Sequence, residues 1–450
     1  MLTTAYTPDY ATLLWEQRME EIGLERLRDY KRNWNYYNGD HKQSLPVRIG
    51  QADDNVIINL PRLIVDKGAS FLFGKEVEFQ LEEGATTKAE EHLDDVWRAN
   101  RKMTFLGKVA VSGGIYGHAF IKIVPDGLSG GLPRLVSIEP ENMAVYYDGD
   151  DIEHVWRYRI QWISRGRDGG VAHRRQTINR EADHWEIVNE VLLGGGRWQS
   201  DPDNPDMRWG WNWPPIIDCQ NIALPGVYYG LSDLEDLSGQ DAINYLASKI
   251  QRIIRYHAHP KTYAGGVGVS DLKVGPDDIL FLPGTSSWIK NLEMESDLES
   301  SMGFMDRLIS WSLATARIPR LDPAQINVGA LSGFALKVLY GDLLEKTETK
   351  RRTYGDMLVE LNRRLSEMKG HGPDNYCELL WPYPLPVDEA AEEMRDKFDL
   401  DYELASKSTV RARRDLDDEA EKKRMAAEKA QEDSIGSALL REFETQRGTE

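Results

Sequence analysis

The sequence predicts an α+β protein, with helix-rich stretches towards both ends and an antiparallel β region between them. Three observations predict it. Apolar residues recur at helical spacing over residues 10–37 and again in several runs after Pro225. Between about Ile115 and Leu224 the pattern changes to short alternating stretches: AFIKIV, PRLVSIEP, MAVYYD, HVWRYRIQWI, HWEIVN and VLLGGGRW. Turn-rich breaks such as DGLSGGLP and SDPDNPD separate these stretches, which is the pattern of hairpins. Their spacing is irregular, so no internal repeat is expected.

The first helix, residues 10–37, carries Leu13, Leu14, Ile22, Leu24 and Leu27 together with Trp34, Tyr36 and Tyr37. Gly39 ends it, because glycine takes up the left-handed conformation that closes a helix. Within Val56–Gln80, Pro61 suits a first helical turn, Gly74 the helix end, and Val77–Leu81 a strand. Helices follow over about Lys88–Asn100 and Phe105–Val111, the latter stopping at turn glycines Gly113 and Gly114. Ser232 and Glu235 have capping-box spacing and open a helix to about Ala258. A small β patch spans about Thr262–Leu292, with strands at Ile279–Pro283 and Ser287–Lys290. A second capping box, Ser296 to Glu299, opens a helix ending at Arg317. The stretch PRLDPAQINVGAL, Pro319–Leu331, is irregular. Ser332 caps a long helix to about Lys369, whose apolar face holds Tyr354, Leu358, Leu361, Leu365 and Met368, with Gly341 and Gly355 as kink points. The part from Pro386 is helical and highly charged, and residues from about Ser434 read as a frayed end.

The chain has 450 residues, enough for about three domains. Its 13 Trp, 19 Tyr and 10 Phe exclude a wholly disordered chain. A net charge of −19 excludes a protein that coats nucleic acid over its whole surface. It does not exclude a local basic site, since charges beyond about 8 Å are largely screened at physiological salt. Two cysteines, Cys219 and Cys377, are too few for a disulfide framework or a Cys-rich metal site and fit a reducing compartment. The start MLTTAYTPDY has no basic and then apolar region, and no run approaches 18 apolar residues, so neither a signal peptide nor a membrane span is expected.

No catalytic constellation stands out. Gly68–Lys75 (GASFLFGK) resembles a phosphate-binding loop, but it has five residues between its glycines and Glu76 where a hydroxyl should bind Mg²⁺. A helix end at Gly74 is the better reading. Gly113, Gly114 and Gly117 lack the leading strand and following helix of a dinucleotide site. His257 and His259 flank a helix end without a Cys pair or HExxH. The acidic loop Asp201–Asp206 lacks the central Gly and distal Glu of a calcium loop and reads as a solvated turn. No cofactor and no metal is expected.

The order of elements, taken with several short stretches, resembles the portal (connector) proteins of tailed bacteriophages. Tyr36–Asp40 (YYNGD) and Asn55–Gly74 (NVIINLPRLIVDKGASFLFG) are similar to the family's amino-terminal signature. Gly113–Ile123 (GGIYGHAFIKI) and Ile138–Asp148 (IEPENMAVYYD) are similar to its next two β motifs, and Gly230–Leu237 (GLSDLEDL) to the start of its stem helix. Ser332, Gly333, Ala335, Leu336 and Lys337, in SGFALK, match the motif that follows its channel loop. The resemblance covers about residues 30–370.

The resemblance implies the portal fold. A wing would span 1–230, a first stem helix 231–258, a clip 259–296 and a second stem helix 297–318. A channel loop over 319–331, a long kinked helix and wing return over 332–385, and a helical crown and charged tail over 386–450 would follow. It implies a homo-oligomeric ring, generally of twelve subunits, at one capsid vertex of a virion assembled in a bacterial cytoplasm. The ring would conduct double-stranded DNA during packaging and ejection. Its partners would be the terminase large subunit, which hydrolyses ATP, the major capsid or scaffolding protein, and neck or adaptor proteins. No membrane is involved, and the chain itself would not be an enzyme.

The local charges agree with that map. Lys249, Arg252, Arg255 and Lys261 lie on or beside the first stem helix, where Arg252 and Arg255 share a face; repeated around a ring they become a band of positive charge, unless neighbouring carboxylates pair with them. The channel loop is chemically mild, with polar Asp322, Gln325 and Asn327, apolar Ile326 and Val328, and Gly329. Without Lys or Arg between Leu321 and Leu331 it would not grip passing phosphates. Lys346–Arg352 holds four cations and reads as a solvated or intersubunit face; Arg411–Arg414, followed by Asp415–Glu421, reads as an intrahelical salt-bridge strip. Two competing readings are a capsid scaffold or adaptor without a DNA path, and a metal-dependent nuclease or hydrolase using His154, His173, His184 and Asp183 of the β region.

Overall fold

A computed structural model describes residues 18, 20–41, 45, 47, 55–81, 87–128, 130–165, 170–193, 197–258, 262–265, 288–291, 298–320, 333–371, 377–385, 389–414, 416 and 418–426. The chain divides into two compact units, residues 1–326 with 339–384, and residues 327–338 with 385–450.

In the first unit the expected opening helix is broken at Gly23 (φ 95°), and α1 (Leu24–Asn38) restarts beyond it. Gly39 (φ 82°) closes α1 as expected. Helix α2 (Leu60–Phe73) carries Pro61 in its first turn and is capped by Asn59, whose side chain accepts the Arg62 N–H. It ends at Gly74 and leads to β1 (Glu78–Leu81), so the phosphate-loop look-alike is a helix and its end. Then come α3 (Thr87–Ala99) and α4 (Lys102–Tyr116).

Helix α4 corrects the sequence reading, because it does not stop at Gly113 and Gly114 but runs through them to Gly117 (φ 82°). A Cβ on Gly113 would lie 1.9 Å from the Tyr354 hydroxyl, and one on Gly114 2.9 Å from Asp233 Oδ2. The glycines are there to let buried side chains approach the helix, a reason that local sequence does not carry.

The β region is antiparallel, as expected. It comprises β2 (His118–Leu128), β3 (Leu132–Ile138), β4 (Met143–Tyr147), β5 (Val155–Arg165), β6 (Val171–Arg180), β7 (Trp185–Leu193), β8 (Arg197–Ser200), β9 (Met207–Arg208) and β10 (Ile216–Gln220). Three strands pair in the order β10-β2-β3; six form a second sheet, β4-β5-β6-β7-β8 with β9 also on β7. Phe120, Ile121, Ile123, Met143, Ile178 and Ile216 are fully buried in the shared core.

Next in the first unit are α5 (Ser238–Ala258), a hairpin of β11 (Thr262–Gly265) with β12 (Trp288–Asn291), and α6 (Leu298–Thr315). The expected strand over Ile279–Pro283 and the caps Ser296 and Ser332 lie outside the described residues, as do the side chains of His257 and His259. In place of one long helix there are two, α7 (Gly333–Leu339), whose residues 333–338 belong to the second unit, and α8 (Gly341–Met368), so the expected break at Gly341 is present. The one at Gly355 is not: α8 is continuous there, and Gly355 faces Leu379 and Trp381. Strand β13 (Cys377–Leu380) returns to pair with β1.

The second unit contains α9 (Glu389–Asp401) and α10 (Lys407–Arg413). Its arginines do not form the intrahelical strip expected. Arg413 of α10 and Arg414 just after it converge on buried Asp396 of α9 at 3.4 and 3.0 Å, and Arg411 reaches Asp418 at 2.5 Å. Among the described residues no helix is long and apolar enough to cross a membrane.

One core position works against stability. Half-buried Lys122 of β2 donates to Gln176 Oε1 at 2.5 Å and has no carboxylate partner among the described residues, so burial pushes its amine down to about 8. Below pH 8 both folded and unfolded chains carry the proton and the folded state bears the full cost of a buried charge. That cost is relieved as pH rises from about 8 towards the ordinary lysine value of about 10.4. Lys122→Met should therefore raise the melting temperature relative to wild type at pH 7, with the gain shrinking by pH 10; calorimetry across that range checks it.

Candidate channel elements and the charge node beneath them

Helix α5 carries Gln240, Asn244, Ser248 and Arg252 at every fourth position, one polar stripe beside apolar Ile243, Ala247 and Ile250. The stripe meets the extended segment 55–59, whose backbone has no sheet partner. Gln240 Nε2 donates to the Ile58 carbonyl (2.6 Å), Asn244 Oδ1 accepts the Ile58 N–H (2.9 Å), and Ser248 Oγ accepts the Val56 N–H (3.0 Å). Arg252 Nη2 donates to Asn55 Oδ1 (2.8 Å). Asn244 also donates to His41 Nδ1 (2.7 Å), while His41 Nε2 donates to the Tyr36 carbonyl (3.0 Å). The helix thus satisfies backbone groups that would otherwise be buried unpaired.

The four cations expected on this helix therefore differ in surroundings. Arg252 is half-buried and engaged within its own chain. Lys249 is exposed, its ammonium 5.1 Å from the Tyr245 ring centroid, and Arg255 is exposed one turn beyond Arg252. Lys261, Asp322, Gln325, Ile326, Asn327, Val328, Gly329 and Ser332 lie outside the described residues. Gly333, Ala335, Leu336 and Lys337 are on α7, with Lys337 exposed.

Helix α5 begins at Ser238 and not at Ser232, because the Ser232 hydroxyl is used elsewhere. It donates towards the Gly114 and Ile115 carbonyls (2.9 and 2.7 Å) and accepts the Leu234 N–H (3.0 Å). Asp236 takes over the capping role, its Oδ1 accepting the Ser238 N–H at 3.1 Å. Between these residues lies Asp233, with a side chain 1% exposed. Lys346 Nζ is 3.0 Å from its Oδ1 and Lys350 Nζ 2.6 Å from its Oδ2. Gly68 and Gly114 line the pair, and the Asp233 N–H donates to the Gly114 carbonyl at 2.8 Å. Burial alone would push the Asp233 carboxyl upward, but Lys350 and Lys346 outweigh it and hold it below the usual carboxylate range. The expectation of a solvated or intersubunit face at Lys346–Arg352 is thus corrected: Lys346 and Lys350 are buried, and Arg351 donates to the Pro382 carbonyl at 2.6 Å.

Lys346 also donates to the Ala316 carbonyl (3.3 Å), at the end of α6. There Arg317 adopts φ 61°, and Arg320 turns back onto α6 through Ser310 Oγ (2.7 Å) and the Asp306 carboxylate (2.5 Å). A cavity of about 520 Å³ lies between these elements, lined by Pro61, Ile64, Leu234, Thr315, Glu345 and Lys346. The sequence reading missed Asp233 and its two lysines. The signal available was i, i+4 spacing of Lys346 and Lys350 on a helix whose next turns are apolar.

Of the β-region residues weighed as nuclease groups, His154, His184 and Asp183 have structural partners, while His173 Nδ1 is buried without a hydrogen-bond partner among the described residues. His154 pairs with Asp148, His184 with Asp183 (2.7 Å), and Asp183 with Arg208 (3.3 Å). The Asp201–Asp206 loop is an exposed turn over residues 202–206, as expected, but Asp201 itself is buried, pairs with Arg174 and accepts the Asp203 N–H (3.0 Å), and Asp206 accepts the Asn189 N–H (2.7 Å). His118 and Asp218 form a buried pair (2.8 Å) with Tyr228 donating to Asp218 (2.6 Å). Burial favours the protonated Asp218, but His118 and the hydroxyls of Tyr228 and Tyr158, the latter at 3.3 Å, hold its carboxyl below the usual range. Among the described residues no three His, Cys, Asp or Glu side chains gather as a metal site.

Residues 16–178 match the family model described as phage portal protein, SPP1 Gp6-like. This stretch belongs to the phage portal family. The match contains α1, α2 and most of the β region, and it bears out the family resemblance over the motifs at Tyr36–Asp40, Asn55–Gly74, Gly113–Ile123 and Ile138–Asp148. It supports a portal, hence structural, role. No curated protein matches the chain. Among solved structures the chain is similar to one from the virion of a native gene transfer agent particle, at 15% identity and TM-score 0.38, covering 79% of this chain and 88% of that one. It is similar in the same degree to one from the neck of the native gene transfer agent particle computed with C12 symmetry, at TM-score 0.37.

Removing one partner from a buried ion pair leaves an uncompensated charge and costs about 3–5 kcal/mol. Asp233→Asn should therefore destabilise the protein by about that amount, whereas Asp233→Leu combined with Lys346→Met and Lys350→Met should recover much of the loss. Denaturant unfolding of the three proteins checks this.

Proposed function

We propose that this chain is a portal subunit: copies close into a ring at one capsid vertex, and double-stranded DNA passes along the axis during terminase-driven packaging and later ejection. The observation that carries the reading is the portal-family match over residues 16–178.

The geometry of α5 and α6 supports it. The two helices pack on each other, yet Tyr245, Ile254, Met302, Phe304 and Trp311 remain exposed along them, large apolar groups suited to contact between copies. In this reading α5 and α6 are the stem, the β11–β12 hairpin belongs to the clip that meets terminase and adaptor proteins, and residues 319–331 form the channel loop. The first 230 residues are the wing and the part from 386 the crown. Lys249 and Arg255, exposed on α5, are the cations that face DNA or a neighbouring subunit; Arg252 positions the stem on the wing through Asn55. An acidic protein with few axial cations lets DNA slide, because each phosphate contact adds salt-sensitive affinity.

Two measurements test this. Purified protein should scatter as a large ring, about 620 kDa for twelve copies of the 51.3 kDa chain, with an axial hole in end-on electron micrographs; a stable monomer at high concentration would overturn it. Lys249→Glu with Arg255→Glu should leave rings intact and reduce packaged DNA, and unchanged packaging would remove these residues from the channel.

A further inference from the structure

His92 lies on α3 and His371 just after α8, and their rings stand 5.9 Å apart between centroids. Both positions are built rather than incidental. Gly370 (φ 81°) turns the chain sharply at the end of α8: its N–H donates to the Glu367 carbonyl (2.9 Å) and the His371 N–H to the Ser366 carbonyl (3.1 Å). This paired arrangement fixes the backbone of His371 and directs the chain back towards α3. Nearby, α3 is held on α8 by the buried hydrogen bond from Trp97 Nε1 to Asn362 Oδ1 (2.8 Å).

The His92 ring hydrogen-bonds to the Leu365 backbone, while its Nε2 is buried and has no hydrogen-bond partner among the described residues. One ring nitrogen tied to a carbonyl and the other left with an unused lone pair is the arrangement of a metal-ligating histidine. A buried acceptor without a partner is otherwise a cost. Two imidazoles bound to one divalent ion, at about 2.1 Å per metal–nitrogen bond, have centroids about 5–6 Å apart. We propose that His92 and His371 form a two-histidine site for a borderline divalent transition-metal ion, zinc or cobalt, with water completing the coordination and the ion clamping α3 to the end of α8.

The electrostatics permit it. Burial pushes the His92 imidazole down and disfavours its cation; the Leu365 carbonyl acts in the opposite sense, and Lys369 and His371 add to the lowering. Asp95, one turn along α3, is the nearby anion that offsets Lys369. A neutral imidazole is the form that binds metal. The inference does not rest on the portal reading, since it uses only the packing of α3 against α8.

The test is titration of full-length assembled protein with cobalt(II) alone, followed by calorimetry and visible absorption, for wild type, His92→Gln, His371→Gln and a His184→Gln control. Wild type and the control should take up one tight ion per chain, and each of the other variants should bind at least about tenfold more weakly. Saturating cobalt should also raise the melting temperature of wild type and not of those two variants, because an ion that binds only the folded state stabilises it. Both rings are half-buried, so glutamine leaves the metal-free fold in place, as circular dichroism would verify. No tight ion in wild type, unchanged affinity in both His92→Gln and His371→Gln, or loss of binding in His184→Gln instead would overturn the proposal.

Discussion

Asp233 is a carboxylate without access to water, and much of the first unit is arranged to make that tolerable. A charge removed from water costs several kcal/mol unless it is paired and hydrogen-bonded. Here Lys346 and Lys350 come from α8, the Gly114 carbonyl from α4 receives the Asp233 N–H, and Asn221 Nδ2 reaches its carboxylate at 3.3 Å. Two helices must approach closely for this to work, which accounts for Gly68 and Gly114. The pair is weak evidence for net stability, because burying the three charges offsets much of what their attraction gains.

The node also joins the two parts of the molecule that the proposed function requires to act together. Lys346 binds the buried carboxylate and the carbonyl at the end of α6, just before the 319–331 stretch. The stripe on α5 binds the extended segment that precedes α2. Helices α5 and α6 are thereby fastened to other parts of the first unit by polar contacts with fixed register. Apolar packing alone would allow a helix to slide by a turn, whereas hydrogen bonds to particular carbonyls do not.

The resemblance motifs gain a physical meaning from this arrangement. Gly113–Ile123, Asn55–Gly74 and Gly230–Leu237 are distant in sequence and were quoted separately, yet Gly114, Gly68 and Asp233 converge within contact distance. Gly117 belongs to the same construction: its left-handed φ lets its carbonyl accept the Asn221 N–H at 2.9 Å beside Gly230. The misreadings follow from the same cause. Gly113 and Gly114 looked like turn residues, Ser232 like a cap and Lys346–Arg352 like a solvated strip, because each was judged against its sequence neighbours.

By itself the sequence determined the class of each long element, the antiparallel β region, the helix ends at Gly39 and Gly74, the break beside Gly341 and the family of the amino-terminal stretch. These depend on local periodicity, on glycine and proline conformations, and on motif order, all of which act within a few residues of chain. The tertiary structure alone decided where α5 begins, which of its cations face inward to the chain's own segment, that two lysines are buried on one carboxylate, and that two histidines 279 positions apart lie side by side. Those outcomes depend on which distant groups must share a water-free space, and the energy of burying a charge or an unpaired acceptor is set by neighbours that no local window contains.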